Sequence, residues 1–324
     1  MITTRFTSQF GLSVPIALAP MAAFADGRLA SAVSRAGGLG ILGAGYSDSD
    51  WLDTQFTIAA GTRVGVGFIA WKLAERPELL DLVLDHDPAA VMLSFGDPTL
   101  FAERIKAAKV PLFNQVNDLD EARRAIDIGV DVLVAQGGEA GGHGKGVRST
   151  FTLVPEVADL VAERAPNTLV LAAGGVADGR GLAAALSLGA DGAVVGSRLW
   201  AAQEAPVNPV ARDRALAAGS DDTVRSTVFD IVRGYPWPQG YGGRVLRNDF
   251  VRRWHGNETA LQTNLVATQS DYRAAVEASD FDTAAVHISE AVGIIRDNPT
   301  AAAVIERMEH EAAAILGRLS DAAQ

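Results

Sequence analysis

Short apolar runs alternate with amphipathic stretches through the first 200 residues of the chain. The runs fall at 16–19, 39–42, 64–69, 90–94, 110–114, 130–135, 169–173 and 193–195. Short apolar runs bounded by turn residues are what strands buried on both faces look like. Helical patterns lie between them, at 27–36, 49–59, 77–85, 98–107, 119–127, 154–164, 179–188 and 197–203. Strands that alternate with helices pair in parallel through right-handed crossovers. Eight such units predict an α/β fold, a (β/α)8 TIM barrel, with an open doubly wound sheet as the alternative.

The rhythm stops after Gln203. Residues 206–285 hold Pro206, Pro209, Pro236, Pro238 and the cluster Gly240-Tyr241-Gly242-Gly243, with helical patterns at 209–218 and 268–278. The expectation is a barrel made of 1–205 and 286–324, carrying a mostly helical substrate-side lobe or lid over 206–285. Within that lobe, 235–241 either closes over a site or forms an aromatic packing turn. Ala303, Val304, Met308, Ala312 and Ile315 recur at helical spacing and predict a C-terminal helix packed on the barrel.

Composition narrows the function classes. The net charge of -11 argues against a nucleic-acid partner, because no basic surplus exists to neutralise phosphates. The absence of cysteine excludes disulfides, thiolate catalysis and Cys-ligated metals. Neither a secretory h-region nor a run of about 18 apolar residues is present, so no membrane association is expected and a cytoplasmic enzyme is the default.

The chemistry concentrates where strands end. Residues 136–146, Gln136-Gly-Gly-Glu-Ala-Gly141-Gly142-His143-Gly-Lys-Gly, hold six glycines in eleven positions around one imidazole. Glycine permits close backbone approach to a ligand, and barrel sites lie at the C-terminal ends of strands. His143 therefore faces a ligand and suits proton abstraction or a hydrogen bond to an anion. A metal is disfavoured, since only Glu139 is near. His86, His255, His287 and His310 lack glycine flanks and read as surface or packing residues. Lys145 and Arg148 read as solvated loop charges.

Two further glycine turns form a pair. Ala173-Gly174-Gly175 follows the seventh run and Gly196-Ser197 follows the eighth. That pair of turns commonly binds phosphate in barrels, through free backbone N–H groups at helix starts. Taken singly, each turn reads equally as a tight connection. Pro20 and Met21 follow the first strand, where Met21 is either a contact for a flat ring or a core methionine. Gln115 and Gln136 end strands five and six, where their amides either meet a heteroaromatic edge or satisfy loop backbone. Phe68 and Trp71 either wall a cavity or fill the barrel mouth.

Together, Ala19-Pro-Met21, 136–146, 173–179 and 195–198 resemble the nitronate monooxygenases, formerly called 2-nitropropane dioxygenases. Glu290-Ala-Val-Gly-Ile-Ile295 resembles that family's closing helix, while 206–285 matches only loosely. The resemblance implies a TIM barrel with bound FMN. It implies that Gly174, Gly175, Gly196 and Ser197 hold the FMN phosphate and that Pro20 and Met21 lie against the flavin. It places Gln115 and Gln136 toward the flavin or ribityl chain, with Gly141, Gly142 and Ala173 completing the cofactor wall. His143 becomes the catalytic histidine. Some relatives carry Lys at the position of Gln115 and Asp at that of Gln136. A cation there favours the reduced flavin anion, so its loss bears on redox tuning and on the preferred reaction.

The leading expectation is oxidative denitrification of alkyl nitronates with O2, propionate 3-nitronate foremost. The alternative is an NAD(P)H-dependent FMN reductase acting on quinones or enoyl thioesters. A third class, a non-redox barrel for a phosphorylated metabolite, lacks an evident catalytic lysine or carboxylate pair. The sequence leaves NAD(P)H use and a homo-oligomeric state open.

Overall fold

The computed structural model describes residues 1–146 and 148–322. Eight parallel strands form one sheet: β1 (Ile16–Leu18), β2 (Ile41–Gly43), β3 (Gly65–Ile69), β4 (Val91–Ser94), β5 (Leu112–Val116), β6 (Val132–Gln136), β8 (Leu169–Ala173) and β9 (Gly192–Val195). The strand between them in sequence, β7 (Gly142–Gly144), belongs elsewhere. The spatial order β1-β9-β8-β6-β5-β4-β3-β2 brings the first two strands to the two edges. Leu18 N–H donates to Leu39 O at 2.8 Å and Leu39 N–H to Ile16 O at 2.9 Å, which closes the seam into a barrel. The TIM barrel expected from the eight apolar runs is the fold, and the open sheet is excluded.

Each strand is buried on both faces because its alternate residues serve two cores. Leu133, Ala135, Val170 and Ala172 face the surrounding helices. Val132, Val134, Leu169, Leu171, Met92 and Phe113 fill the barrel interior. The helix Arg5–Phe10 plugs the N-terminal end, with Phe6 and Phe10 both set edge-on to Phe113. The C-terminal helix Ala301–Ala322 packs on the helix Gly179–Ser187. Its buried face is Ala301, Val304, Ile305, Met308 and Ala312, so Ile305 rather than Ala303 carries the stripe.

Residues 206–285 contain five α-helices and one short 3-10 helix. They also contain two strands, β10 (Thr223–Ser226) and β11 (Gly242–Leu246). These form an antiparallel sheet in the order β10-β11-β7. The periodicity of β11 is masked by its glycines, which is why no strand was expected there. The consequence matters: this segment is tied by a ladder to the loop carrying His143, with Gly243 directly opposite His143. Among the described residues no helix is long and apolar enough to cross a membrane.

Candidate active site

The two-residue period of the strands dictates what lines the barrel mouth. Continuing the interior phase beyond the last packed layer gives Ala19, Gly67, Ser94, Gln115, Gln136, Ala173 and Gly196, all of which line one cavity. Its volume is about 680 Å³, in the range of sites that hold a cofactor-sized ligand. The loop Pro20–Met21 folds across the mouth. Gly43 and Gly67 accommodate it, since a Cβ at Gly67 would collide with the Pro20 ring and one at Gly43 with the Met21 backbone. Met21 thus lies on the cavity wall, with its sulfur toward Gly196, rather than in the core.

The paired glycine turns meet on another wall. Gly174 and Gly175 hold φ of +105° and +74°, which side-chain-bearing residues rarely adopt. Among the described residues, the N–H groups of Gly174, Gly175 and Gly196 have no acceptor. Ser197 Oγ accepts from Ser289 N–H at 2.9 Å, which leaves its own proton to donate. The helix start after Gly175 is already satisfied, because Asp178 accepts from Gly181 N–H and Glu311 from Gly179 N–H. The free donors of that turn are the glycine amides, not the helix terminus.

Gln136 is a strut. Its Oε1 accepts from Gln115 Nε2 at 3.0 Å and from Asn117 Nδ2 at 2.9 Å, and its own Nε2 donates to His143 O at 3.1 Å. The amide therefore spans from the strand end to the histidine loop. Gln115 keeps its carbonyl oxygen for the cavity. Gly141 serves packing, since a Cβ there would strike Ile288 and Ser289, whereas Gly142 has φ +67° and open space around it. Glu139 accepts from Thr150 N–H at 3.0 Å at the start of the next helix. Lys145 pairs with Asp118 and Glu121, each at 2.7 Å, and Arg148 with Glu156 at 2.8 Å. Both cations are structural partners and neither lines the cavity.

His143 lines the cavity with its side chain 10% exposed. Its ring stacks on Trp237 at 3.6 Å and 4°. Nε2 lies 2.9 and 3.0 Å from the two oxygens of buried Asp230. A carboxylate only accepts, so Nε2 carries the proton and Nδ1 holds the lone pair. Among the described residues Nδ1 has no hydrogen-bond partner, and it is not sealed from the cavity. Burial holds the imidazole below its ordinary value of 6.5; Asp230 opposes that, and the charges of Arg233 and Arg225 add to it. The result is a neutral base with its lone pair available.

Residues of the segment 206–285 extend this wall. Asp230 and Arg233 come from the helix Val228–Arg233, and Tyr235 and Trp237 from the chain that follows. Trp237 Nε1 donates to Tyr46 Oη at 2.9 Å, and Tyr46 stacks on Tyr235 at 4.5 Å. Tyr235 and Trp237 of the stretch 235–241 therefore wall the cavity. His287 stands 5.9 Å from His143 on the same wall. Desolvation holds it well below 6.5 and the neighbouring Arg233 and His143 push the same way. Gly243 makes room for both rings, since a Cβ there would lie 3.2 Å from His287 Nε2. In the sequence His287 reads as a surface or packing residue. Its flanks, Val286 and Ile288, carry no glycine signal.

Arg225 organises the histidine loop. Its guanidinium donates to the carbonyls of Gly138, Ala140, Gly142, Gly144 and Gly242 at 2.6–3.2 Å. No carboxylate pairs with it among those contacts, and burial with the nearby Arg244 charge pushes its pKa down to about 10. Arg225→Met should lower the unfolding free energy by about 3 kcal/mol, because buried carbonyls lose charged donors. Urea denaturation checks it, and an unchanged midpoint would show that the loop holds itself.

Comparison with known proteins agrees with this geometry. The nitronate monooxygenase family model matches residues 3–62 and 62–311. The nitronate monooxygenase of Neurospora crassa is 33% identical, over 91% of this chain and 88% of that protein. Among solved structures, FabK from Thermotoga maritima superposes with a TM-score of 0.87 at 29% identity, covering 99% of both chains. Nitroalkane oxidase from Streptomyces ansochromogenes superposes with a TM-score of 0.79 at 26% identity, covering 95% of this chain and 98% of that one. The match over nearly the whole length, on a barrel with this mouth, makes the chain a flavin oxidoreductase that belongs to the nitronate monooxygenase family.

Proposed function

We infer that this protein oxidatively denitrifies alkyl nitronates with O2, using FMN, with propionate 3-nitronate as its substrate. The observation that carries the reading is His143: a neutral imidazole, its Nε2 tied to Asp230 and its Nδ1 free on a cofactor-sized cavity. The residues present fit FMN. Gly174, Gly175, Gly196 and Ser197 offer unpaired donors of the kind a phosphate takes. Pro20 and Met21 supply an apolar and polarizable surface for the ring, and Gln115 retains an amide oxygen for a ring N–H. FMN supplies electron transfer and the reaction with O2 when bound.

The chain's own contribution is binding and proton handling. For a neutral nitroalkane, His143 Nδ1 removes the α-proton and the Asp230 carboxylate stabilises the imidazolium that forms. For a nitronate that proton is already absent, and the same histidine positions the anion. Trp237 fixes the ring plane, and Tyr46 holds Trp237. The aromatic wall limits water at the reacting carbon.

Oxygen uptake by the FMN-loaded protein with propionate 3-nitronate, without nicotinamide, tests the reading. Rapid uptake with nitrite release is expected. No uptake, combined with fast anaerobic bleaching of the flavin by NADH, would replace it with the NAD(P)H-dependent reductase of quinones or enoyl thioesters. The close superposition on FabK makes that the second reading.

A further inference from the structure

Proton handling by His143 and Asp230 leaves Arg233 unexplained. Among the described residues that line the cavity it is the only Lys or Arg. Its Nε donates to Phe229 O at 2.9 Å, and one Nη2 N–H donates to Asp230 Oδ1 at 3.2 Å. Both Asp230 oxygens meanwhile sit closer to His143 Nε2, at 2.9 and 3.0 Å. The Arg233–Asp230 contact is thus long and single-point, unlike the bidentate fork that guanidinium makes with a dedicated carboxylate. Nη1 makes no hydrogen bond among the described residues, and the side chain remains 25% exposed. The guanidinium lies 5.0 Å over the Tyr235 ring, which holds its plane.

The surroundings suit an anion. His287, held neutral, makes no side-chain hydrogen bond among the described residues and offers a ring donor. Tyr46 Oη accepts from Trp237 and so keeps its own proton to donate. Among the described residues the one carboxylate on the cavity wall, Asp48, is engaged as a helix cap by Trp51 N–H at 2.9 Å.

We propose that Arg233 determines specificity by receiving a carboxylate at the substrate end remote from the reacting carbon, so that anionic-tailed substrates are taken in preference to neutral-tailed ones. This rests on the nitronate reading for the identity of the reacting group but not for the subsite itself. A partly buried charged pair of this kind favours the anion by about 10- to 100-fold.

Calorimetric titration of the FMN-loaded protein under anaerobic conditions with 3-nitropropionate and with 1-nitrobutane, its uncharged counterpart of equal length, tests the proposal without O2-dependent turnover. Wild-type protein should bind 3-nitropropionate about 10- to 100-fold more tightly, and added salt should weaken that ligand alone. Arg233→Met should erase the preference and Arg233→Lys should keep part of it. If Arg233 merely supported Asp230, the variants would change turnover and leave the ratio of the two affinities in place. A wild-type protein without preference, or an Arg233→Met protein that retains it, overturns the subsite. A competition on wild-type protein covers a variant that fails to fold: butyrate should displace 3-nitropropionate and butyramide should not, and equal displacement by both overturns the subsite too. Failed oxygen uptake with an intact preference removes the nitronate reading and leaves the subsite standing.

Discussion

His143→Asn should lower kcat/KM for a neutral nitroalkane by about 10³-fold, the range a positioned general base contributes, while nitronate turnover falls by less than about tenfold. The asymmetry follows from where the proton is. A nitroalkane must lose its α-proton before it can be oxidised, and on the proposed reading the lone pair on His143 Nδ1, at the cavity, takes it. A nitronate arrives without that proton, so the substitution removes only a contact. The pH profile provides a second sign. Burial holds His143 below 6.5, so the acid limb of nitroalkane kcat/KM should lie below pH 6.5 and the curve should be level at neutrality. The Asn variant should lack that limb. Equal losses on both substrates would sink the assignment of His143 as base.

The barrel and its half of the site are legible in the sequence for a physical reason. A strand buried on both faces is a short apolar run, and the same two-residue period that fills the interior carries Gln115, Gln136, Ala173 and Gly196 to the mouth. His143 stands out because the surrounding glycines allow it to reach a ligand. What those residues do at the mouth is less legible. Gln136 reads either as an amide facing a ring or as one that satisfies loop backbone, and the second is what it does: its Nε2 donates to His143 O while Gln115 and Asn117 take its carbonyl. The lobe's half of the site is silent. Asp230 sits in a six-residue helix and looks like any solvated acid, yet it is 4% exposed. Arg225 meets its carbonyl partners only because β10 and β11 pair with β7, a long-range ladder that no local pattern announces. Gly243 was the available clue: in a strand, a residue without a side chain marks close approach, here of two imidazoles.

The second large effect is expected from Asp230→Asn, which leaves the packing nearly unchanged but replaces one carboxylate oxygen with an NH2 donor and removes the charge. In the native site Arg233 donates to Oδ1, and both oxygens lie against His143 Nε2. In the variant, Arg233 selects the amide oxygen, since guanidinium only donates. The amide NH2 then faces Nε2 and donates to it. His143 must shift its proton to Nδ1, which takes the lone pair away from the cavity. Nitroalkane kcat/KM should fall on the order of 10²-fold, within the range for losing a general base, with a much smaller effect on nitronates. The ¹⁵N shifts of His143 should report protonation at Nδ1 instead of Nε2. Loss of the carboxylate also removes what holds the imidazole's pKa up, so any residual acid limb should move to lower pH. A variant that keeps the Nε2 tautomer and loses activity would show that Asp230 acts through the ring's position alone. One that keeps both would show that the buried carboxylate serves only Arg233.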